Sequence, residues 1–281
     1  MKPLLRFSVS LWTLLVFIAL LKNSHAQCSA MKCGNNETLT VTTTTVKHEH
    51  TPNCTLSTGG NISRDSFLTG LTPGAVYEIF INCSSCCANV TLTPDVVRNL
   101  TVTNVTTSSV SVDWSEPEGN SSFYRVQWTD GQFNDTSYVS ETSMTISNLT
   151  AGVQYKIIVT AVADDNHTDG QSTAVTQYTR PGIIGNHHIV SQNTSSISVN
   201  WASPPGEVFM YRLEWHNGGV LMTRYTNDTF AVLSELISGT NYTITVTAVA
   251  GDNETEGDPY TFTSFTSKHI LSILNYSFCC L

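Results

Sequence analysis

The chain has 281 residues, of which 40% are hydrophobic and 12% are charged, and its formal net charge is −9 at pH 7. An acidic surface of this size disfavours nucleic acid and anionic lipid as ligands, because both would be repelled. The length suits two or three domains of ordinary size.

The first 26 residues have the pattern of a secretory signal peptide. A basic start precedes an apolar run over residues 7–21, and the small residues Ser24 and Ala26 stand at positions −3 and −1 of a cleavage site after Ala26. The apolar run is shorter than the roughly 20 residues that a membrane-spanning helix needs. We therefore expect a chain that begins at Gln27 and is secreted or lies on the extracellular side of the plasma membrane.

Asn-x-Ser/Thr sequences (sequons) recur along the whole chain, more densely than chance would place them. A sequon accepts an N-linked glycan only where it is exposed in a secreted protein, so their density agrees with the signal peptide. Many glycans would shield most of the surface and leave certain faces free for a partner. The candidates are Asn36, Asn53, Asn61, Asn82, Asn89, Asn99, Asn104, Asn120, Asn134, Asn148, Asn166, Asn193, Asn227, Asn241 and Asn253, with a further sequon at Asn275.

Residues 27–93 contain six of the eight cysteines of the chain. An even number of cysteines in a secreted chain favours disulfides over the zinc site that a C-x-x-C spacing also suggests. Neighbouring residues rarely bridge each other, so the last three cysteines should pair with the first three, which leaves six of fifteen connectivities. A small loop closed within the first pair is the alternative. The cysteines are Cys28, Cys33, Cys54, Cys83, Cys86 and Cys87.

Two further expectations concern single positions in this segment. Cys83 continues the alternation of Ile79 and Ile81, which predicts a strand with Cys83 on its core face. His48 and His50 could bind a metal as two imidazoles on one strand face. Because no third ligand is evident, a solvated strand end is the preferred interpretation, and no metal site is predicted.

Two segments align without a gap at an offset of 87 residues. The pairs include Trp114 with Trp201 and Tyr155 with Tyr242. Self-similarity at a fixed offset indicates two copies of one domain. We call residues 94–180 the first repeat and residues 181–267 the second repeat.

Apolar and polar residues alternate within each repeat, as in the segments VSVDW and ISVNW. A period of two over five to eight residues is typical of half-buried strands, and the many Val and Thr residues favour strand over helix. About seven short strands per repeat predict an all-β fold of tandem antiparallel sandwiches.

The repeats resemble fibronectin type III domains. The motifs that carry the resemblance are a Trp on the second strand, Tyr-x-Val/Leu-x-Trp on the third, and Leu-x5-Tyr opening the sixth. The resemblance implies that Trp114 and Trp201 fill the core and that Tyr155 and Tyr242 form tyrosine corners. An immunoglobulin domain is the alternative, but residues 88–278 contain no cysteine for its usual bridge.

The segment at residues 27–93 looks like a shortened, degenerate module of the same kind. The sequence from Leu71 to Tyr77 repeats the Leu-x5-Tyr motif, but the second-strand Trp is missing. Disulfides would then substitute for buried apolar area.

The sequence over roughly residues 27–267 resembles the ectodomains of receptor-type tyrosine phosphatases of the eta and beta group, most visibly at residues 102–128 and 246–257. This resemblance implies a protein-binding or spacer role with extracellular protein partners, and it carries over no catalytic residue. A tenascin-like extracellular-matrix protein is the alternative. With no catalytic or cofactor-binding motif in the sequence, the chain is predicted not to be an enzyme and to need no cofactor.

Two remaining stretches are interpreted without a function. The loop at residues 252–258 has alternating acids that resemble half of a calcium loop, but it lacks the closing glutamate, which favours a polar turn. Residues 268–281 match neither a linker nor a module, and their apolar run is too short to span a bilayer. We expect a truncated or alternative tail that does not anchor the protein.

Overall fold

The computed structural model describes residues 32–34, 38–49, 54–59, 61–63 and 66–268. Within these ranges the chain forms 21 β-strands, paired antiparallel, and no helix. The predicted all-β fold is confirmed. The signal peptide, Cys28, Asn36, His50, Asn53, and the tail from residue 269 with Asn275 lie outside the described residues.

The N-terminal segment, residues 32–93, contains two small sheets. One has the strand order β1-β2-β5 and the other the order β4-β3-β6-β7. Its core is built from short apolar runs and includes the buried cysteines Cys54 and Cys86. The strands are β1 (Leu39–Val41), β2 (Val46–His48), β3 (Leu56–Thr58), β4 (Asn61–Ile62), β5 (Phe67–Leu68), β6 (Val76–Ile81) and β7 (Cys86–Thr91).

Each repeat contains seven longer strands. The strands of the first repeat are β8 (Arg98–Val105), β9 (Ser109–Ser115), β10 (Phe123–Thr129), β11 (Asn134–Val139), β12 (Ser143–Ser147), β13 (Gln154–Val162) and β14 (Thr173–Tyr178). Those of the second repeat are β15 (Gly185–Gln192), β16 (Ile197–Ala202), β17 (Met210–Asn217), β18 (Val220–Thr226), β19 (Phe230–Leu233), β20 (Asn241–Val249) and β21 (Tyr260–Phe265).

The three units share one strand order. In each, the first, second and fifth strands form a three-stranded sheet, and the fourth, third, sixth and seventh strands form a four-stranded sheet. The inward side chains of the alternating strands fill the space between the two sheets. In each four-stranded sheet the fourth strand pairs only with the third strand. The fourth strand is therefore an edge of its sheet.

The tryptophans of the second strands lie in the cores of the repeats. Trp114 and Trp201 are each 5% exposed. Trp114 contacts Tyr124 edge-to-face with ring centroids 5.4 Å apart, and Trp201 contacts Tyr211 in the same way at 5.3 Å. The matching geometry follows from the matching sequences, and it places one large aromatic side chain of each repeat between its sheets.

A tyrosine corner occurs in all three units. The N–H of Thr150 donates to the Tyr155 hydroxyl at 3.0 Å, and the N–H of Ile237 donates to that of Tyr242 at 2.7 Å. In the N-terminal segment the N–H of Thr72 donates to the Tyr77 hydroxyl at 3.0 Å. The Leu-x5-Tyr spacing therefore fixes the same chain reversal each time.

Two disulfides of the N-terminal segment lie wholly within the described residues. Cys33 bonds Cys86 with Cα atoms 4.9 Å apart, and Cys54 bonds Cys83 with Cα atoms 5.2 Å apart. Cys87 is also disulfide-bonded. Each of the two described bridges joins one of the first three cysteines of the segment to one of the last three.

Two placements expected from the sequence are wrong. Strand β6 ends at Ile81, so Cys83 lies exposed in the following turn and not on a core face. His48 is 5% exposed, where a solvated strand end was expected. Alternation in the sequence indicates neither that β6 ends before Cys83 nor that His48 packs beside the Cys54–Cys83 disulfide.

Main-chain contacts join successive units in two equivalent joints. At the first, the N–H of Asn120 donates to the carbonyl of Pro73 at 2.8 Å, and at the second, the N–H of Glu207 donates to that of Ala151 at 2.9 Å. The neighbouring Gly152 has φ +73°, and a Cβ there would lie 1.8 Å from the Glu207 oxygen. Only glycine permits so close an approach of the two backbones.

Candidate functional site

An aspartate holds the loop between the last two strands of each repeat. The carboxylate of Asp165 accepts hydrogen bonds from two backbone N–H groups at 2.8 and 2.9 Å and from the Thr168 hydroxyl at 2.6 Å. Asp252 accepts the equivalent bonds, with Thr255 in the place of Thr168. These carboxylate oxygens accept hydrogen bonds from groups of their own loop. The contacts support the interpretation as a hydrogen-bonded turn over that as half of a calcium site.

The same contacts stabilise the charged form of both carboxylates. Partial burial disfavours ionisation of Asp165, but the hydrogen bonds from the Thr168 hydroxyl and from the loop backbone outweigh it and hold its pKa well below the ordinary value. The pKa of Asp252 is lowered by the same balance, with Thr255 as the hydroxyl donor.

A folded-state pKa below the unfolded value implies stability that is present above about pH 4 and is lost as the pH falls through the folded-state pKa. We expect Asp252→Asn to flatten the loss of stability of the second repeat between about pH 5 and pH 2, because the titrating group is gone. Hydrogen exchange of β20 and β21 across this pH range measures it. The control Glu254→Gln removes a charge from the same loop, and an equal flattening in the control would contradict the assignment to Asp252.

An arginine on the third strand of each repeat pairs with the acidic loop. Arg125 contacts Asp169 at 2.7 Å. Arg212 donates to both carboxylate oxygens of Glu256, from Nε at 2.8 Å and from Nη2 at 2.7 Å, and it also contacts Glu214. The positions are 87 residues apart in both partners, so the pairs are equivalent. They fix the loop against the outer face of the four-stranded sheet, and sequence reasoning did not identify them.

Every sequon asparagine that the structure describes is exposed. The set spans all three units and includes strand, turn and loop positions, among them Asn134 in the edge strand β11. Exposure at each of these positions is what N-glycosylation requires. The thirteen residues are Asn61, Asn82, Asn89, Asn99, Asn104, Asn120, Asn134, Asn148, Asn166, Asn193, Asn227, Asn241 and Asn253.

An open groove of about 640 Å³ lies beside β7 in the N-terminal segment. Leu39 and Val41 of β1 and Glu78 of β6 contribute to its lining. Asn89 also lines it, so a glycan attached there would occupy the opening. A small-molecule site normally gathers several convergent polar groups in an enclosed pocket, and this groove does not have that character.

His48 lies beside a disulfide. One ligand atom each of His48, Cys54 and Cys83 falls within 4.8 Å of the others, which is the spacing of a metal site. The two sulfurs are bonded to each other, so the thiolates that zinc would need are absent while the bridge is intact.

The two repeats match a known domain family. A profile of the fibronectin type III domain matches residues 95–178 and 181–263, together more than half of the chain. The chain belongs to the fibronectin type III family. The first matched range contains all seven strands of the first repeat, and the core tryptophans and tyrosine corners of the two repeats lie inside the matched ranges.

Several relatives contain the same domains. The chain is 28% identical over 204 residues to receptor-type tyrosine-protein phosphatase eta of Gallus gallus, which covers 68% of this chain and 14% of that protein. It is 31% identical over 194 residues to receptor-type tyrosine-protein phosphatase H of Homo sapiens, covering 64% of this chain and 17% of the relative. Tenascin-R of Gallus gallus is 26% identical over 229 residues, covering 75% of this chain and 16% of that protein.

The chain thus spans under one fifth of each of these relatives. The domains matched are fibronectin type III modules, which are not catalytic, and the likeness to the phosphatases lies in their ectodomains. None of the described residues belongs to a helix that could cross a membrane.

Proposed function

We propose that this fibronectin type III chain is an extracellular protein-binding or spacer region of a cell-surface receptor of the receptor-type tyrosine phosphatase kind. The observation that carries the proposal is the exposure of every described sequon asparagine on tandem repeats that follow a disulfide-closed segment. Disulfides persist in oxidising compartments, and sequons are used only in the secretory pathway. The named relatives support the same location.

The N-terminal segment belongs to this proposal as a degenerate module of the same family. It has the strand order of the repeats and its own tyrosine corner at Tyr77. With few long strands, it relies on Cys33–Cys86 and Cys54–Cys83 where the repeats rely on a buried tryptophan.

The joints support a spacer role. Two equivalent backbone contacts, at Asn120 and at Glu207, connect the units without a long flexible linker. At the second joint Arg180 also donates from Nε to the carbonyl of Glu256 at 2.9 Å and contacts Asp258 at 2.7 Å. These contacts place the units end to end along the chain with short connections, which suits a spacer.

Expression in secretory cells tests the proposal. We expect the protein in the medium, with glycans at most of the thirteen described sequons by mass spectrometry and with both bridges found by non-reducing peptide mapping. Tetramers of the secreted protein should bind cells through trypsin-sensitive surface proteins if the role is recognition. An unglycosylated, reduced protein retained inside the cell would contradict the extracellular assignment.

A tenascin-like matrix protein is the second candidate, favoured by the match to tenascin-R over 75% of this chain. The full-length transcript separates the two. A downstream spanning helix and phosphatase domain would support the receptor, whereas further fibronectin modules without either would support the matrix protein.

A further inference from the structure

The edge strand β18 of the second repeat carries an exposed apolar row. Val220, Leu221, Met222 and Tyr225 are 62%, 53%, 40% and 59% exposed. In its sheet β18 pairs only with β17, so one side of its backbone presents hydrogen-bonding groups to solvent. An exposed apolar edge strand is a surface on which another strand can pair.

The equivalent edge in the first repeat is different. Strand β11 is polar over most of its length, and Asn134, a sequon residue, stands 87 positions before Leu221. A glycan at Asn134 would cover that edge, whereas β18 contains no asparagine. Of the two equivalent strands, only β11 carries a sequon within the strand, since the nearest sequon to the apolar row is Asn227, just after the last residue of β18.

The pairing of β18 with β17 shows which side chains point outward. Met222 is opposite the buried Trp215, so it lies on the core side of the sheet. Because side chains alternate along a strand, Leu221, Thr223 and Tyr225 lie on the outer side. Arg224 points toward the core side, where its Nη1 donates to the carbonyl of Val232 at 2.8 Å.

We propose that two copies of this chain pair through β18, antiparallel about a two-fold axis at Thr223. This register places Leu221 of each copy opposite Tyr225 of the other, which gives two apolar cross-strand pairs on the outer face. Arg224 falls opposite Met222, so no like charges face each other directly. A two-fold rotation brings the apolar residues of this strand opposite each other. A second copy of the same chain is therefore the partner that fits the edge of β18.

Pairing of one seven-residue strand buries less than the roughly 1,200 Å² at which standard interfaces begin. The dimer is therefore weak and transient. Such an interaction acts where copies are concentrated, as on one membrane or in one matrix.

Sedimentation velocity of the secreted, glycosylated chain from about 1 to 300 μM tests this. We expect a reversible shift from monomer to dimer. Leu221→Asn converts residues 221–223 into Asn-Met-Thr, a sequon at the position where the first repeat has Asn134, and its glycan should abolish the shift. The variant Leu221→Asn with Thr223→Ala lacks the sequon and should retain part of the shift from monomer to dimer.

A covalent readout locates the contact. Thr223→Cys places two thiols together at the axis, so mild oxidation should yield a disulfide-linked dimer. Thr263→Cys, exposed on β21 at the opposite edge of the same sheet, is the matched control and should yield little. A chain that stays monomeric at 300 μM, a dimer that survives the glycan at position 221, or equal crosslinking of the two cysteine variants would each overturn the proposal.

Discussion

Replacement of Trp114 by alanine is expected to destabilise the first repeat by about 3–5 kcal/mol. Trp114 is 5% exposed, and its ring packs between the two sheets against Tyr124. Removing it leaves a cavity that the surrounding strands cannot fill without moving. The loss is comparable to the whole stability of a small domain, so the repeat should be largely unfolded or close to it.

Hydrogen exchange of the full chain measures this loss unit by unit. Protection of β9, β10 and β13 should fall between about a hundredfold and several thousandfold, while that of β16, β17 and β20 stays near wild type. Trp201→Ala should give the reciprocal result. Phe133→Ala, at a side chain that is 76% exposed, is the surface control. Unchanged protection of β9 in Trp114→Ala would mean that the core assignment is wrong.

Removal of the Cys54–Cys83 bridge, by alanine at both positions, is expected to destabilise the N-terminal segment by about 2–4 kcal/mol. The bridge spans 29 residues and Cys54 is fully buried, so both chain entropy and packing contribute. The Cys33–Cys86 bridge spans 53 residues. Because loop-closure entropy grows only with the logarithm of length, its removal should cost within about 1 kcal/mol of the same amount.

Limited proteolysis and hydrogen exchange of the two double variants check this expectation. Cleavage should concentrate between residues 32 and 93, and β3 and β6 should lose protection while both repeats keep theirs. Removing both partners of a bridge avoids leaving a free thiol that could exchange. If neither variant changes the exchange of β6, the segment does not depend on its bridges, and the proposed substitution of disulfides for core area would fail.

Much of this architecture follows from local sequence. A period of two over each strand places Val112 and Trp114 on one face, and the 87-residue offset transfers that assignment to Val199 and Trp201. The tyrosine corners were implied by the resemblance to fibronectin type III domains, which the Leu-x5-Tyr motif carries, and each is a hydrogen bond within one short reversal.

The joints and ion pairs could not be predicted, because their partners are distant in sequence. Nothing near Gly152 indicates that Glu207 will approach its backbone, and Arg212 finds Glu256 only after β17 and β20 pair. The placement of Cys83 failed for a related reason. Alternation describes a strand for as long as it continues, but the position of the turn after Ile81 does not follow from alternation alone.

Periodicity and short motifs were enough to predict about seven strands in each repeat and to identify the sequon asparagines, and the fibronectin type III resemblance indicated the core aromatic residues. The exposure of Leu221 and Tyr225 at a sheet edge follows from the fold and not from the sequence pattern. An apolar residue on an alternating strand is compatible with either face, and its exposure is set by which strands pair beside it. Strand β18 has one neighbour, and its outer edge and the apolar side chains along it therefore remain open to solvent.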